Sequence, residues 1–172
     1  WNLIRVAQRY PNSRIYGVDV SNAMLDTARA AIRRSGLAGR ISVAQADATN
    51  LSVADVFGIS SFDRVFFSYV LSMMPGWQSA IGACAAHVAP GGSLHIVDFG
   101  QCDRLPRTFK AALFAFLDHY TVTPRANLEQ ICRQAAETHE LSVSFQHFHR
   151  GYTDYAVLRR LIAACERHND SL

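Results

Sequence analysis

Residues 14–26 read RIYGVDVSNAMLD, and this stretch decides the fold. An apolar run, Ile15-Tyr16-Gly17-Val18, ends in a carboxylate at Asp19. A polar turn, Ser21-Asn22, follows, and a helical pattern then opens with Met24 and Leu25. A buried strand that hands over to a helix, with an acid at its carboxyl end, is the local form of an open α/β sheet. Ligands of such sheets bind outside the carboxyl ends of the strands. An acid there can accept both hydroxyls of a ribose, so Asp19 is expected to hold a nucleoside-containing cofactor.

The same grammar repeats outward from this stretch. Residues 2–10, NLIRVAQRY, space Leu3, Ile4, Ala7 and Tyr10 as a helix does, and Pro11 follows the stop. Ser21 is the expected N-cap of a helix running to about Ser35, with Met24, Leu25, Ala28, Ala31 and Ile32 on its buried side. Residues 41–46, ISVAQA, alternate as a strand does and end in Asp47. Residues 50–60 read as a loop with about one helical turn. Residues 62–69, FDRVFFSY, are near-continuously apolar after Asp63, the pattern of a parallel strand buried on both faces. A helix is predicted over residues 77–88 and a type II turn at Ala89-Pro90-Gly91-Gly92. Another buried strand, SLHIVDF, follows at residues 93–99 and carries Asp98 near its end.

The last third changes character. Two helices are predicted over residues 105–120 and 126–138, and then residues 141–149 and 152–159 face each other across Arg150-Gly151 as an antiparallel hairpin. Strands alternating with helices imply right-handed βαβ units and a parallel sheet. The expected class is therefore α/β, a Rossmann-like doubly wound sheet, mostly parallel with an antiparallel C-terminal hairpin, in one domain over residues 1–172.

Composition sets outer bounds. A chain of 172 residues with 49% hydrophobic and 18% charged residues is ordinary for a globular domain. A net charge of +3 is too small to argue for nucleic acid, and Lys110 is the only lysine. Cys84, Cys102, Cys132 and Cys165 are scattered with no C-x-x-C pair, which argues against a zinc ribbon or a disulfide framework. No metal site is expected: His147 and His149, two apart and so on one face of a strand, lack a third ligand at a telling spacing.

Taken in order, GVDVSNAMLDTA, QADAT, FDRVFFSYVLSMMP and VAPGGSLHIVDF, closed by the terminal hairpin, resemble a class I methyltransferase that uses S-adenosylmethionine and releases S-adenosylhomocysteine. The resemblance covers most of residues 14–159. It implies that Asp19 holds the ribose hydroxyls beside Val20, and that Met24 packs on the adenine or ribose. It further implies that Asp47 accepts from the adenine amine, that Ala48 donates its backbone N–H to a ring nitrogen, and that Ser68 and Tyr69 border the methyl-donor pocket. The family's first strand and glycine-rich loop find no counterpart, so the first strand is expected to be missing from this chain. It would be the central one, between the strands ending at Asp19 and Tyr69. These residues alone are expected to fold poorly, to bind cofactor weakly or not at all, and to be inactive.

Two shorter segments, FFSYVLSMMPGW and DHYTVTPR, resemble the bacterial N-methyltransferases of betaine-lipid synthesis. That resemblance implies an amine acceptor on a diacylglycerylhomoserine-type lipid, with a cytoplasmic enzyme peripheral at the inner membrane face. Tyr69 becomes the candidate for orienting the amine, with Met73 beside the acceptor and Arg125 as a bidentate partner of its carboxylate. Arg104, Arg107 and Lys110 recur at every third residue, and Phe109, Leu113, Phe116, Leu117 and Tyr120 share another face, a pattern suited to a lipid surface or to a helix that buries its apolar face on the sheet.

Rival readings stand beside these. Asp19 can serve as a helix-approach acid, Met24 as core, Ser68 and Tyr69 as sheet closure, and Arg125 as a helix-start surface residue. A methyltransferase of quinone precursors or other small molecules is the alternative within the class. An NAD-dependent dehydrogenase shares the first acid but not the second. A non-catalytic nucleoside-binding domain shares the fold.

Overall fold

The computed structural model describes residues 2–162, which form two compact units dividing between Ser60 and Ser61. The first unit opens with α1 (Asn2–Arg9) and runs through β1 (Ile15–Asp19), α2 (Asn22–Arg34) and β2 (Ile41–Gln45). A short 3-10 turn (Ala48–Asn50) and α3 (Val53–Phe57) complete it. β1 and β2 are parallel, in register from Ile15 opposite Ile41 to Asp19 opposite Gln45. Ala7, Ile15, Ile32 and Ile41 form the core, and Leu3, Ile4, Val6, Leu37 and Val43 pack around it.

Gly17 lets α1 lie close on β1, since a Cβ there would stand 2.7 Å from Leu3 Cδ1. The end of α1 is closed by Arg40, whose guanidinium donates to the carbonyl oxygens of Ala7 and Pro11, each at 2.8 Å. Helix termini leave carbonyls without partners, and a cation suits them there. Ser21 caps α2 as expected, its hydroxyl accepting the Met24 N–H at 3.4 Å. Met24 itself departs from expectation, standing 60% exposed while Leu25 and Ile32 are buried. Leu25 and Ile32 fix the inward face by their seven-residue spacing, and Met24 sits a 100° step away from it.

The second unit contains β3 (Phe62–Ser68), a 3-10 turn (Leu71–Met73), α4 (Trp77–Ala86) and β4 (Val88–Phe99). α5 (Arg107–His119), α6 (Leu128–Thr138), β5 (Leu141–Phe148) and β6 (Thr153–Arg160) follow. The sheet order is β3-β4-β6-β5, with β3 parallel to β4 and the other two pairings antiparallel. The α/β class and the terminal hairpin are thus as expected. Leu94, Ile96, Ala156 and Leu158 bury the middle of the sheet, and Trp77, Ile81, Leu128 and Cys132 are buried on the helices.

Two local expectations change. β3 is not buried on both faces: Phe67 is buried, but Arg64 is exposed and Phe66 is 39% exposed. Among the described residues it is an edge strand of its sheet, paired with β4 alone. Pro90-Gly91 does turn, with Gly91 at φ 74° as a type II turn requires, yet the turn lies inside β4. The pairing slips there, from Phe62 opposite Val88 to Arg64 opposite Ser93. Gly92 is required at that bulge, because a Cβ would stand 2.7 Å from the Ala89 carbonyl oxygen.

Candidate functional site

In the first unit the two strand-end acids come together. Asp19 ends β1 opposite Gln45, and its carbonyl oxygen accepts the Ala46 N–H at 3.2 Å, so Asp47 leaves β2 beside it. Each carboxylate uses one oxygen to shape its own turn. Asp19 Oδ1 accepts the Ser21 N–H at 2.8 Å. Asp47 Oδ1 accepts both the N–H and the hydroxyl of Thr49, each at 2.8 Å. Those bonds, the backbone one foremost, hold the Asp47 carboxyl below its usual range. The Oδ2 atoms of both residues carry no hydrogen bond among the described residues.

Around these oxygens stand groups of two further kinds. Val20, 65% exposed, and Met24 are apolar side chains in the open at the same strand ends. Ala48 begins the 3-10 turn, and the first N–H of such a turn has no partner within it. Gln45 Nε2 donates to the Val20 carbonyl oxygen at 3.0 Å and ties the two strand ends together. Carboxylate oxygens without partners, a backbone donor and exposed apolar side chains are groups by which Asp19, Val20, Met24, Asp47 and Ala48 could hold a nucleoside.

In the second unit Ser68, Tyr69, Met73 and Arg125 also share one region. Ser68 ends β3 opposite Val97, and the Tyr69 N–H donates to the Val97 carbonyl oxygen at 2.8 Å. Tyr69 takes a left-handed backbone, φ 52°, uncommon for a residue with a side chain. Its hydroxyl pairs with Thr153 Oγ1 at 3.2 Å and its ring lies 4.9 Å from that of Phe99. A strained backbone and a hydroxyl already engaged hold the tyrosine in one orientation.

Arg125 behaves differently from expectation. Its Nε donates to the Leu71 carbonyl oxygen at 3.0 Å, and its Nη2 donates to those of Ser72 and Met74, each at 3.2 Å. The guanidinium lies 5.7 Å from the centre of the Trp77 ring. Arg125 thus clamps the 3-10 turn that displays Met73, which is exposed, and most of its donors are spent on backbone rather than free for a carboxylate. The histidine pair also separates. β5 ends at Phe148, so His149 enters the turn at φ 51° and does not share a strand face with His147.

One arrangement escaped the sequence. His147 Nδ1 and Asp154 Oδ1 lie 2.7 Å apart, directly across the hairpin, and Asp154 is only 4% exposed. Burial pushes the Asp154 carboxyl up, against the pull of His147. The hairpin expected across Arg150-Gly151 already sets the two positions opposite each other, but the burial of Asp154 that makes the contact depends on packing outside the hairpin.

A family profile described as "Methyltransferase domain" matches residues 1–92. Curated relatives align over 90 to 109 residues of the chain. One is the methyltransferase GfsG of Streptomyces halstedii, 34% identical over 90 residues, covering 52% of this chain and 31% of that protein. Another is the ubiquinone/menaquinone biosynthesis C-methyltransferase UbiE of Pseudomonas putida, 29% identical over 109 residues, covering 62% and 41%. The chain therefore spans well under half the length of these relatives.

Solved structures match more of the chain. An O-methyltransferase family protein from Burkholderia thailandensis superposes with a TM-score of 0.69 at 20% identity, over 94% of this chain and 48% of that one. A geranyl diphosphate methyltransferase in complex with SAM gives 0.63 at 12% identity, over 92% and 73%. The fold is that of the Rossmann-like methyltransferases, a class whose cofactor is S-adenosylmethionine. The chain belongs to the methyltransferase-domain family.

Proposed function

We propose that the protein containing these residues transfers methyl groups from S-adenosylmethionine to an amine, on a diacylglycerylhomoserine-type lipid headgroup. The observation that carries the methyltransferase reading is the pairing of Asp19 with Asp47, each offering an unused Oδ2 at adjacent parallel strand ends. S-adenosylmethionine, when bound, supplies a sulfonium methyl group. Asp19 accepts from the ribose hydroxyls, Asp47 from the adenine amine, and the Ala48 N–H donates to the ring. Val20 and Met24 cover the purine, and Ser68 borders the methyl-donor region. Tyr69, fixed by Thr153 and Phe99, accepts from the N–H of the incoming amine and orients its lone pair.

The lipid part of the proposal draws support from α5. Leu117 turns inward, but Phe109, Phe116 and Tyr120 are exposed, and Phe116 and Tyr120 stack at 5.0 Å. With Arg104 and Arg107 exposed close by, this surface suits peripheral contact with anionic lipid. No helix among the described residues is long and apolar enough to cross a membrane. A quinone-precursor acceptor is the second reading, favoured by the alignment to UbiE proteins.

The test uses the full-length protein. Calorimetry with S-adenosylhomocysteine should show binding that Asp19→Asn and Asp47→Asn each weaken by about tenfold, the scale of one charge-assisted hydrogen bond. Met24→Ala should weaken binding while changing stability by less than about 0.5 kcal/mol, since the side chain is exposed. Transfer of labelled methyl to diacylglycerylhomoserine supports the lipid acceptor. Transfer to a demethylated quinone instead would replace it with the second reading, and stabilisation by NAD in place of S-adenosylhomocysteine would sink both.

A further inference from the structure

A cavity of about 290 Å³ lies in the second unit, away from Tyr69 in sequence and lined by Gln101, Asp103, Arg104, Glu129, His147, Arg150 and Asp154 among others. That volume is at the lower end of small-ligand sites. We propose that it is a binding site for an oxyanion, a carboxylate or phosphate group of a small molecule, held by Arg104, Arg150 and His147.

The charges decide the sign of the ligand. Every carboxylate of the lining is already committed: Asp103 to Lys110 at 2.9 Å, Glu129 to Arg133 at 2.6 Å, and Asp154 to His147 at 2.7 Å. Neither Arg104 nor Arg150 has a side-chain hydrogen bond or ion pair among the described residues. Two guanidiniums without counter-charges thus line a cavity whose acids each have a partner of their own. Guanidinium is the group of choice for planar, bidentate capture of carboxylate or phosphate. His147 adds a third donor in its imidazolium form: Asp154 Oδ1 accepts from Nδ1–H, and Nε2–H, without a partner among the described residues, points its proton at an oxyanion.

The corner is also built to hold this geometry. The segment after β4 is zipped to the hairpin turn by three backbone bonds, Gly100 N–H to the Tyr152 carbonyl at 2.9 Å, Cys102 to Gly151 at 2.8 Å and Arg104 to Arg150 at 3.3 Å. The last of these fixes the two arginines side by side. His149, Arg150 and Gly151 are consecutive left-handed residues, at φ 51°, 60° and 84°, and Cys102 opposite them is at 56°. Such backbone is unfavourable for residues other than glycine and gathers at ligand clamps. Gly100 has no room for a side chain, since a Cβ would collide with the Gly151 carbonyl oxygen and stand 2.6 Å from Asp154 Oδ1.

The test is a calorimetric titration of the full-length protein with inorganic phosphate and, separately, acetate, at constant ionic strength set by chloride. Saturable binding in the millimolar range is expected. Preference for phosphate would mark a phosphate-bearing ligand, and preference for acetate a carboxylate. The double variant Arg104→Gln/Arg150→Gln should weaken binding at least about tenfold, and Glu129→Gln, which removes a negative charge from the lining, should tighten it. Opposite signs from neighbouring variants separate anion recognition from loss of folding. Non-saturable heats, an unchanged affinity in the arginine variant, or weaker binding in Glu129→Gln would each overturn the proposal.

Discussion

Asp98 holds Ser72 by its backbone across 26 residues, with Oδ2 accepting the Ser72 N–H at 3.1 Å. Its other oxygen accepts the Phe99 N–H at 2.8 Å, and both Asp98 and Ser72 are about 1% exposed. A buried carboxylate bonded to two backbone donors anchors the 3-10 turn to the end of β4. Asp98→Ala strands both donors and should cost about 2–3 kcal/mol in urea unfolding of the full-length protein. Ser72→Ala should do the reverse: its Oγ is buried without a hydrogen-bond partner, so removing it should be neutral or stabilising by up to about 1 kcal/mol.

The clamp made by Arg125 predicts a stability defect rather than a substrate defect. A lysine retains the charge but cannot reach three carbonyl oxygens from a planar fork or lie over Trp77 in the same way. Arg125→Lys should lower stability by about 1–2 kcal/mol, seen as a lower melting temperature. Michaelis constants measured well below that temperature should stay near wild type.

Asp47 gives a pH dependence of defined sign. Its folded-state value is depressed below 3.8 by the Thr49 backbone N–H and then the Thr49 hydroxyl. A depressed carboxyl contributes stability that is present above the unfolded value and is lost as pH falls through the folded one. A carboxyl-detected NMR titration should find the Asp47 midpoint below 3.8, and Thr49→Val should move it upward by removing the hydroxyl. Asp154 carries the opposite sign, its carboxyl pushed up by burial, so what it contributes is lost as pH rises through its folded value.

Burial separates the three described cysteines from a nucleophilic role. Burial pushes Cys84 and Cys132 up to about 12, and Cys102 is raised as well. The thiolate is the nucleophile, so none of the three should react at neutral pH. Mass spectrometry after brief alkylation of the native protein at pH 8 should find all three unmodified, and unfolding in urea should expose them.

Legibility in the sequence followed chain distance. Asp19 and Asp47 are legible because one ends β1, the other follows β2 by two residues, and each caps its own turn within two residues. The exposure of Met24 was missed because alternation between one residue and the next on a helix is fixed by the packing of Leu25 and Ile32, not by apolarity. The clamp made by Arg125 leaves no local signal because the carbonyl oxygens it meets lie more than fifty residues upstream. The oxyanion pocket needs the hairpin register and the zipper between residues 100–104 and 150–152, neither of which leaves a motif.

Lys110 ends the molecule's account with a practical consequence. It is the only lysine in the chain, and its ammonium bridges to Asp103 on the wall of the pocket and lies 5.4 Å from the centre of the Phe114 ring. An amine-directed dye applied to these residues therefore has one side chain to choose. Attached there, it would ride on α5 beside the cavity and near the exposed aromatic stripe, reporting by its emission on ligand entry or on contact with a vesicle. The arginine bias of these 172 residues leaves one side-chain amine among them for such a label.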